Sequence, residues 1–289
     1  MSLKYYIRSL LNGASKIIGP ERILKLEALV RFHKEINITN PSTLTDKICY
    51  LEYRKKDKLS IVCSDKYDVR EYVASKGLES ILVPLIGDVY YNFDEINFDE
   101  LPQKFVIKAT FGCKMNLICQ NKDELEYDVA KKTVDRWISN GFNREYMEPH
   151  YKFIPKRIIC EEFLENADTI VDYKIHCLNG KPLFILVCSE RNKDLRLNLY
   201  DIHWKPIHEI IGKHLNDKEI PRPSLLKEMI DISKKLSSDF DFVRVDLYQI
   251  GQKIYFGELT FTPDGGVLSY FSPRFDKKMG EYLKLSNRE

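Results

Sequence analysis

The sequence of 289 residues has no apolar run long enough to cross a bilayer and no cysteine pattern typical of a metal site. Its longest clean apolar run, PLFILVC at 182–188, is strand-sized, whereas a membrane span needs about 20 residues. The seven cysteines are odd in number and include no C-x-x-C pair, which argues against a disulfide framework and a zinc site. The opening MSLKYYIRSLL has too short an apolar stretch, with Arg8 inside it, to act as a secretory signal. These absences favour a cytoplasmic protein.

The sequence also lacks a marked excess of charge of either sign. Lys and Arg total 45 against 43 Asp and Glu, so the net charge of +2 creates no global field that would attract nucleic acid, which is not expected as a partner. Residues 1–34 are an exception, with seven basic residues against Glu21 and Glu27. A basic amphipathic start can rest on an anionic surface at the inner face of a membrane. We favour the simpler interpretation that it is a solvated helix packed on its own domain.

The composition of the chain is that of a globular protein, with 44% hydrophobic and 30% charged residues. Residues 1–62 are expected to be mostly helical, because their apolar residues recur at spacings of three and four, with breaks near Gly19-Pro20 and Asn40-Pro41. We place a domain boundary after residue 62. Beyond it, DKYDVREYVASK (65–76) predicts a helix that Gly77 ends, since glycine accepts the left-handed conformation that follows many helices.

Residues 63–289 alternate between strands and helices in the manner of an α+β fold. Helices are predicted over 123–139 and 224–238. Asn179-Gly180 and Gly251-Gln252 are hairpin signals, so the strands on either side of each are expected to pair antiparallel. The predicted strands are 104–109, 115–119, 157–163, 171–178, 182–189, 195–200, 243–249 and 253–260.

The segment FVRVDLYQIGQKIYFGELTFTPDGG (242–266) places charged residues inside predicted strands. Period two puts Arg244 and Asp246 on one face of the first strand, and Glu258 lies on the next strand of the same hairpin. A carboxylate inside a hydrophobic strand needs compensation. A hard divalent cation such as Mg²⁺ would supply it. A buried salt bridge from Arg244 to Glu258 or Asp246 would also do so, and the hairpin alone favours that alternative.

Two further segments have features of a site for a phosphorylated ligand. The strand KFVIKA (104–109) brings Lys108 to its end, just before the loop TFGCKMN (110–116), and a lysine there can reach a phosphate while loop N–H groups close over it. The loop has a single glycine and does not match a P-loop or a dinucleotide motif. ICEEFLEN (159–166) is a strand ending at two glutamates and an aromatic residue, where main-chain groups can bind a flat base. Each signal is weak by itself.

Taken in order, these segments resemble the ATP-grasp superfamily and, within it, the teichuronopeptide-biosynthesis (TupA-like) family of polysaccharide enzymes. The resemblance covers most of residues 44–266, and the ordered series is far more specific than any one piece. It implies an ATP-grasp fold in which two α+β subdomains, 63–163 and 164–289, grip ATP after a short helical segment, 1–62. The matching stretches are LTDKICYLEYRKKDKL (44–59), SDKYDVREYVASKG (64–77), LVPLIG (82–87), LPQKFVIKATFG (101–112), KRIICEEFLE (156–165), DYKIHCLNGKPLFI (172–185) and the segment 242–266.

The resemblance implies a nucleotide site. Lys66 and Lys108 match the two lysines directed at the α- and β-phosphates, and residues 110–116 match the lid over the β- and γ-phosphates. Residues 161–164 match the hinge, where main chain reads the adenine and one of the two glutamates holds the ribose. The residues so implied in ATP binding are Lys66, Lys108, Thr110, Gly112, Lys114, Glu161, Glu162, Phe163, Leu164 and Lys174.

The resemblance also implies a metal site and catalytic cations. Asp246 and Glu258 match the acids that bind Mg²⁺, and Arg244 matches the arginine that acts with Lys108 to steady the transferring phosphoryl group. The third metal position, usually Asn, is Thr260 here, so one metal ion would be held loosely. The lid has one glycine where the family usually has two. The N-terminal domain, which often selects the substrate, is reduced to residues 1–62.

The implied activity is that of a carboxylate–amine ligase. ATP phosphorylates a carboxylate, and an amine attacks the acylphosphate to give an amide, ADP and phosphate. The implied carboxylate is a uronic acid of a cell-surface polysaccharide precursor, such as a capsule precursor, or an amino acid attached to one. Residues 261–270 are expected to form the wall on the acceptor side.

Three alternatives stay open. An ATP-grasp kinase would phosphorylate a hydroxyl and release no phosphate. A metal-dependent glycosyltransferase is suggested by the D-x-D motif Asp239-Phe240-Asp241. A binding module that has lost turnover is suggested by Thr260 and the altered lid. The sequence indicates neither the two substrates nor an oligomeric state.

Overall fold

Helices dominate the first 64 residues of the structure, a computed structural model that describes residues 3–55, 57–142, 146–164, 171–189 and 195–286. The bounds are Leu3–Ile18 for α1, Pro20–Phe32 for α2, Leu44–Tyr50 for α3 and Lys58–Ser64 for α4, with a π-helical turn, Leu51–Lys55, after α3. The predicted break at Gly19-Pro20 is confirmed, since Gly19 has φ 92° and Pro20 opens α2. α4 runs through residue 62.

Helix α5, Val69–Ser75, is shorter than the helix predicted over 65–76. The predicted end is confirmed, because Gly77 follows with φ 70°. The predicted start is wrong: the Asp65 side chain accepts hydrogen bonds from the backbone N–H groups of Tyr67 and Asp68, which closes a separate turn before the helix.

The first sheet has three antiparallel strands in the order β2-β1-β3. The strands are Phe105–Ala109 (β1), Asn116–Cys119 (β2) and Ile158–Glu162 (β3), close to their predicted bounds. Helix α6, Tyr127–Asn140, covers one face and begins later than predicted, because residues 122–124 form a 3-10 turn that the Asn121 side chain caps. Among the described residues, 3-10 turns span Glu79–Ile81, Phe93–Glu95, Phe98–Glu100, Lys122–Glu124, Pro149–Phe153 and Pro263–Gly266.

The second sheet has five antiparallel strands in the order β6-β5-β4-β7-β8. The bounds are Asp172–Leu178 (β4), Lys181–Ser189 (β5), Arg196–Asp201 (β6), Phe242–Ile250 (β7) and Lys253–Thr260 (β8). Both predicted hairpins are confirmed. At the first, Asn179 has φ 50° and Gly180 has φ 75°, the left-handed pair that a two-residue hairpin turn requires.

Helices cover both faces of the second sheet. On one face, α7, Leu226–Leu236, packs Met229 and Ile232 against apolar residues of β4, β5 and β7. On the other face, α3 and α8, Pro273–Tyr282, pack Leu44, Ile48 and Phe275 over one part of the sheet. The charged residues of β4, β7 and β8 lie on this second face. No helix among the described residues has the length and apolarity that spanning a bilayer requires.

Polar contacts lock α3 to α8. The Thr45 backbone N–H donates to Asp276 Oδ1 at 2.9 Å, and Lys34 Nζ lies 2.8 Å from Asp276 Oδ2. Lys47 Nζ donates to the Gly280 carbonyl at 2.7 Å. A Cβ at Gly280 would lie 2.2 Å from the Ser42 carbonyl oxygen, so glycine permits this close approach of the two segments.

Candidate functional site

A row of three charged residues crosses the second sheet. Lys174 on β4 lies opposite Asp246 on β7, which lies opposite Glu258 on β8. Glu258 reaches this position because the β7–β8 register shifts after Asp246, where Gly257 is the extra residue of a bulge. Without the shift, period two would turn Glu258 to the apolar face of the sheet. The bulge therefore brings together three residues that the sequence implied in the site.

Arg244 and Thr260 form the neighbouring row and connect to the first. Arg244 Nε and Nη2 donate to the two oxygens of Asp246, each at 2.7 Å. Arg244 Nη2 also donates to Thr260 Oγ1 at 3.0 Å, and the Thr260 hydroxyl donates to Glu258 Oε1 at 3.0 Å. Lys174 Nζ donates to Asp246 Oδ2 and lies 2.7 Å from Asp172 Oδ2. These side chains thus form one hydrogen-bonded network.

The ion pairs keep the buried members of this network charged. Burial alone would raise the pKa of Asp246, but the Arg244 guanidinium and the Lys174 ammonium outweigh it and lower that pKa to about 2. Burial would lower the pKa of Lys174, and Arg244 adds to this effect, yet Asp172 and Asp246 together raise it. Asp246 likewise raises the pKa of Arg244 against burial.

The donor set suits a hard cation, with Glu258 as its accessible member. The Glu258 side chain is 39% exposed, and its Oε1 accepts from Thr260. Carboxylate oxygens are the ligands that Mg²⁺ prefers. Both Asp246 oxygens are bound by Arg244 and Lys174, which is the salt bridge that the alternative interpretation of the hairpin predicted. In the described part of the chain, no three His, Cys, Asp or Glu side chains cluster as a metal site.

Two lysines near the first sheet are implied in phosphate binding, Lys108 on β1 and Lys66 in the turn before α5. Lys108 on β1 donates to Glu161 on β3, and Arg70 Nη1 lies 3.8 Å from the same carboxylate. Lys66 Nζ donates to the Gly112 carbonyl at 2.7 Å. Burial lowers the pKa of Lys66, while the charge of Glu258 opposes this change and that of Lys108 adds to it. Lys66 is therefore close enough to Glu258, in the charged row on the second sheet, for the two charges to interact.

The structure separates the two glutamates of the hinge. Residues alternate along β3, so Glu161 lies on the same face of the sheet as Lys108, opposite Val106. Glu162 lies opposite Phe105, on the face that α6 covers, and is exposed at the strand end. Phe163 and Leu164 follow, both half-buried. The last two residues of the predicted stretch, 165 and 166, lie outside the described residues.

Side chains of the lid segment, residues 110–116, point in different directions. Thr110 is buried, and its hydroxyl donates to Asp65 Oδ2 at 3.0 Å. Gly112 has φ 68°, and a Cβ there would lie 2.7 Å from the Phe142 ring. Lys114 is exposed, with φ 61°. The Thr110 hydroxyl is thus bound within the protein, whereas Lys114 extends into solvent.

The sequence did not single out two buried carboxylates next to these residues. Asp65, directly before Lys66, accepts from Arg157 Nη2 at 2.9 Å as well as from Thr110. Its position in the sequence could have been a signal, since it precedes a lysine implied in the site. Glu148 accepts from Thr262 at 3.3 Å. These residues are far apart in sequence, and nothing in either segment predicts the pairing.

Ion pairs engage both carboxylates of the D-x-D motif. Asp239 lies 2.5 Å from Lys76 Nζ and accepts from the Tyr72 hydroxyl. Asp241 Oδ2 lies 2.9 Å from Lys55 Nζ and accepts from the Ser286 backbone N–H at 2.9 Å. These contacts connect the turn before β7 to three other parts of the chain. The two carboxylates of the motif therefore stabilise the fold.

One family of proteins matches most of the chain. Its model, described as TupA-like ATPgrasp, matches residues 46–284. A search of curated proteins finds no match.

Several solved structures have a similar fold at low sequence identity. D-alanine–D-alanine ligase from Bacillus anthracis complexed with ATP is 14% identical, with a TM-score of 0.45 over 76% of this chain and 61% of that chain. The corresponding ligase from Helicobacter pylori is 16% identical, with a TM-score of 0.44 over 84% and 70% of the two chains. Phosphoribosylamine–glycine ligase from Thermotoga maritima is 13% identical, with a TM-score of 0.43 over 83% and 54%. This chain spans about three fifths of the first of these ligases.

Proposed function

Because the chain belongs to the TupA-like ATP-grasp family, we propose that it is an ATP-dependent carboxylate–amine ligase. The observation that supports this activity is the meeting of two groups of charges. Lys66, from the first half of the fold, interacts electrostatically both with Lys108 and with Glu258 in the charged row on the second sheet. A triphosphate between them would be neutralised from both sides, as phosphoryl transfer requires.

The proposed roles follow from position and charge. Lys66 and Lys108 bind phosphate oxygens, and Arg244 stabilises the negative charge that develops on the transferring phosphoryl group. Glu161, on the face of β3 next to Lys108, holds the ribose, and the main chain of 162–164 contacts the adenine. Glu258 and Asp246, with Thr260 beside them, would hold Mg²⁺, and the bound ion would supply Lewis-acid neutralisation of the phosphates.

The reaction proceeds in two transfers. A carboxylate oxygen of the substrate attacks the γ-phosphorus of ATP, which forms an acylphosphate and releases ADP. An amine then attacks the acyl carbon, which forms the amide and releases phosphate and a proton. The acylphosphate must be kept from water between the two transfers, and the lid segment, 110–116, with the exposed Lys114, is placed to close over it.

We further propose that the substrates belong to cell-surface polysaccharide synthesis in the cytoplasm. The carboxylate is a uronic acid of a polysaccharide precursor or an amino acid attached to one, and the amine is an amino acid or another small amine. This substrate class rests on the resemblance of the sequence to polysaccharide enzymes. The second function considered, a glycosyltransferase using the D-x-D motif, has less support, because Asp239 and Asp241 are engaged in ion pairs.

A hydroxylamine trap tests the proposed chemistry. Protein with MgATP and a panel of uronic acids and amino acids is assayed for ADP, for phosphate and, with hydroxylamine in place of the amine, for a hydroxamate. The ligase predicts all three products with the correct carboxylate, and Glu258→Gln serves as the inactive control. ADP formation with a stable phosphorylated sugar and no phosphate would indicate a kinase instead. No ADP with any member of the panel would contradict both.

The N-terminal helices support a proposal of peripheral membrane association. Large apolar residues of α1 and α2 are exposed to solvent, including Leu10 at 73% and Val30 at 67%. Lys25 and Arg31 lie on α2, so an apolar surface and basic charge occur together, as in helices that rest on anionic lipid. Sedimentation with phosphatidylglycerol vesicles is expected, and phosphatidylcholine vesicles should bind less. Equal pelleting with both lipids, or with neither, would contradict the proposal.

A further inference from the structure

A cavity of about 1770 Å³ lies between the N-terminal helices and the body of the protein, apart from the charged row. Its walls come from α1, α2, the π-helical turn, α4, residues 149–153 and the turn before β7. Sites for drug-sized ligands have volumes of about 300–1,000 Å³. The cavity therefore has room for an extended ligand of several linked units.

The acidic side chains that line this cavity all have partners, whereas several of the basic ones have no ion pair in the part of the chain that the structure describes. Every lining carboxylate has a partner: Glu21 binds Lys25 and Arg54, Glu52 binds His150, Asp57 accepts from Leu59 N–H, Asp239 binds Lys76 and Asp241 binds Lys55. Four lining cations differ, because no carboxylate of the described residues lies within ion-pair distance of them. They are Lys16, Arg22, Lys58 and Lys152, all with exposed side chains at the rim of the cavity. Unpaired cations around a cavity favour an anionic ligand.

The aromatic lining adds a second preference. Phe153 lines the cavity with its side chain 65% exposed, which is unusual for a large apolar ring. Phe261 lies on another wall, half-buried against Phe240. An exposed ring beside cations suits a ligand with one flat apolar face and charged substituents, and the rings of acidic sugars have this character.

The cavity and the charged row share one strand end. Thr260, the last residue of β8, hydrogen bonds in the row, whereas Phe261, the next residue, lines the cavity. Phe261 packs with the apolar residues on the face of the sheet that α7 covers, opposite the face that carries the charged row. A ligand in the cavity would consequently lie behind the reacting groups and not among them.

We propose that this cavity anchors an acidic oligosaccharide, a chain of uronic acid residues whose carboxylates bind Lys16, Arg22, Lys58 and Lys152 and whose sugar rings pack on Phe153. The choice of sugar rests on the proposed function, while the preference for an anion rests on the unpaired cations. The cavity would hold the polymer at a distance from the ATP site while one of its carboxylates reacts.

Calorimetric titration with tetragalacturonate tests this inference, with the neutral galactose tetramer as the matched ligand. The wild-type protein is expected to bind the acidic chain and to bind it more weakly as salt rises. Lys58→Gln with Lys152→Gln should weaken binding about tenfold, and Phe153→Ala should weaken it as well. The matched control is Lys227→Gln with Lys234→Gln, which removes the same charge from exposed residues of α7 outside the cavity.

The outcomes separate this inference from the proposed function. Thermal unfolding with a non-hydrolysable MgATP analogue reports on the ATP site in the same samples. Stabilisation by the analogue without tetragalacturonate binding would overturn the inference alone, and so would equal binding of the neutral tetramer or equal binding by the Lys58/Lys152 variant. If inorganic diphosphate binds and tetragalacturonate does not, the inference is also overturned. If the MgATP analogue does not stabilise the protein while tetragalacturonate still binds, the ATP-dependent function is contradicted and the anchoring site remains supported.

Discussion

Glu258 lies directly opposite Asp246 because Gly257 adds one residue to β8 at that point. A Cβ at Gly257 would lie 2.9 Å from the Asp246 carbonyl oxygen and 2.9 Å from the Tyr248 ring. A side chain at this position would therefore have to displace the backbone of β7 or the packed Tyr248 ring.

Gly257→Ala is expected to destabilise the protein by about 1–3 kcal/mol, because backbone and a packed ring must move, and to weaken binding of a MgATP analogue. Chemical denaturation and calorimetry measure the two effects. Gly13→Ala is the control, since nothing lies within 4 Å of the added carbon in α1, and alanine stabilises a helix. Equal behaviour of the two variants would show that the bulge does not need glycine.

Glu258→Gln and Asp246→Asn should differ in stability although each removes one proposed metal ligand. A MgATP analogue at about 100 times its Kd stabilises a one-site protein by about 2.7 kcal/mol, and we expect Glu258→Gln to lose this effect with little change in the unliganded protein. Asp246→Asn should unfold more easily by about 3–5 kcal/mol, because Arg244 and Lys174 lose their buried partner. Thermal unfolding with and without Mg²⁺ distinguishes them. An undiminished analogue effect in Glu258→Gln would refute its role.

Glu161→Gln is expected to weaken ATP binding, whereas Glu162→Gln should leave it unchanged. Glu161 shares its face of β3 with Lys108 and binds it, while Glu162 is exposed on the other face. Competition with a fluorescent ATP analogue measures both affinities. A loss of affinity in Glu162→Gln and not in Glu161→Gln would reverse the assignment.

His176 predicts a pH dependence of stability in metal-free protein. Burial and then the nearby Arg244 lower the pKa of His176 to about 3. An unfolded histidine has a pKa of about 6.5. Below that pH the unfolded chain binds a proton that the folded chain does not, so stability falls as pH decreases, by at most about 1.4 kcal/mol per pH unit.

His176→Phe should remove this contribution, since a phenyl ring keeps the stacking on Phe184 and does not titrate. Urea unfolding between pH 6.5 and 4 compares the two proteins, and their difference cancels the effects of other groups. Parallel pH profiles for wild type and variant would refute the prediction.

Cys113 is expected to be the thiol that reacts in the native protein. The other six cysteines are buried, while Cys113, in the lid, is partly exposed. Burial raises the pKa of Cys63, Cys160 and Cys177 to about 12, which suppresses their reactive thiolates. A disulfide reagent should therefore modify one thiol per native chain and seven after denaturation, with no native reaction in Cys113→Ser. A MgATP analogue should slow the native reaction if the lid closes over it.

The sequence predicted the strands well, because period two and the Asn179-Gly180 turn are local signals. Its resemblance to the TupA-like family is confirmed over 46–284. The start of α5 could not be predicted, since it depends on which N–H groups the Asp65 side chain accepts from. The sequence could not decide which of the two hinge glutamates lies next to Lys108. That decision depends on which face of β3 carries each glutamate, and this is known only from the pairing of β3 with β1.

The cavity behind β8 could not be predicted at all. Its walls combine α1, α4 and residues 149–153, whose sequences carry no shared motif. The same is true of the pairing of Glu52 with His150, at a separation of 98 residues. Such contacts depend on tertiary packing, which residue spacing does not encode.

The packing of α3 on α8 has a consequence for how the chain folds during synthesis. The hydrogen bond between Thr45 and Asp276 joins residues 231 positions apart. Until residues 273–282 have left the ribosome, α3 lacks the helix against which it packs, and the apolar residues of the second sheet that α3 and α8 cover together stay partly exposed. Contacts of such long range slow folding, and exposed apolar sheet surface favours aggregation. We therefore expect nascent chains that stall before α8 to depend on chaperones, whereas chains extended beyond it should become protease-resistant in a single step.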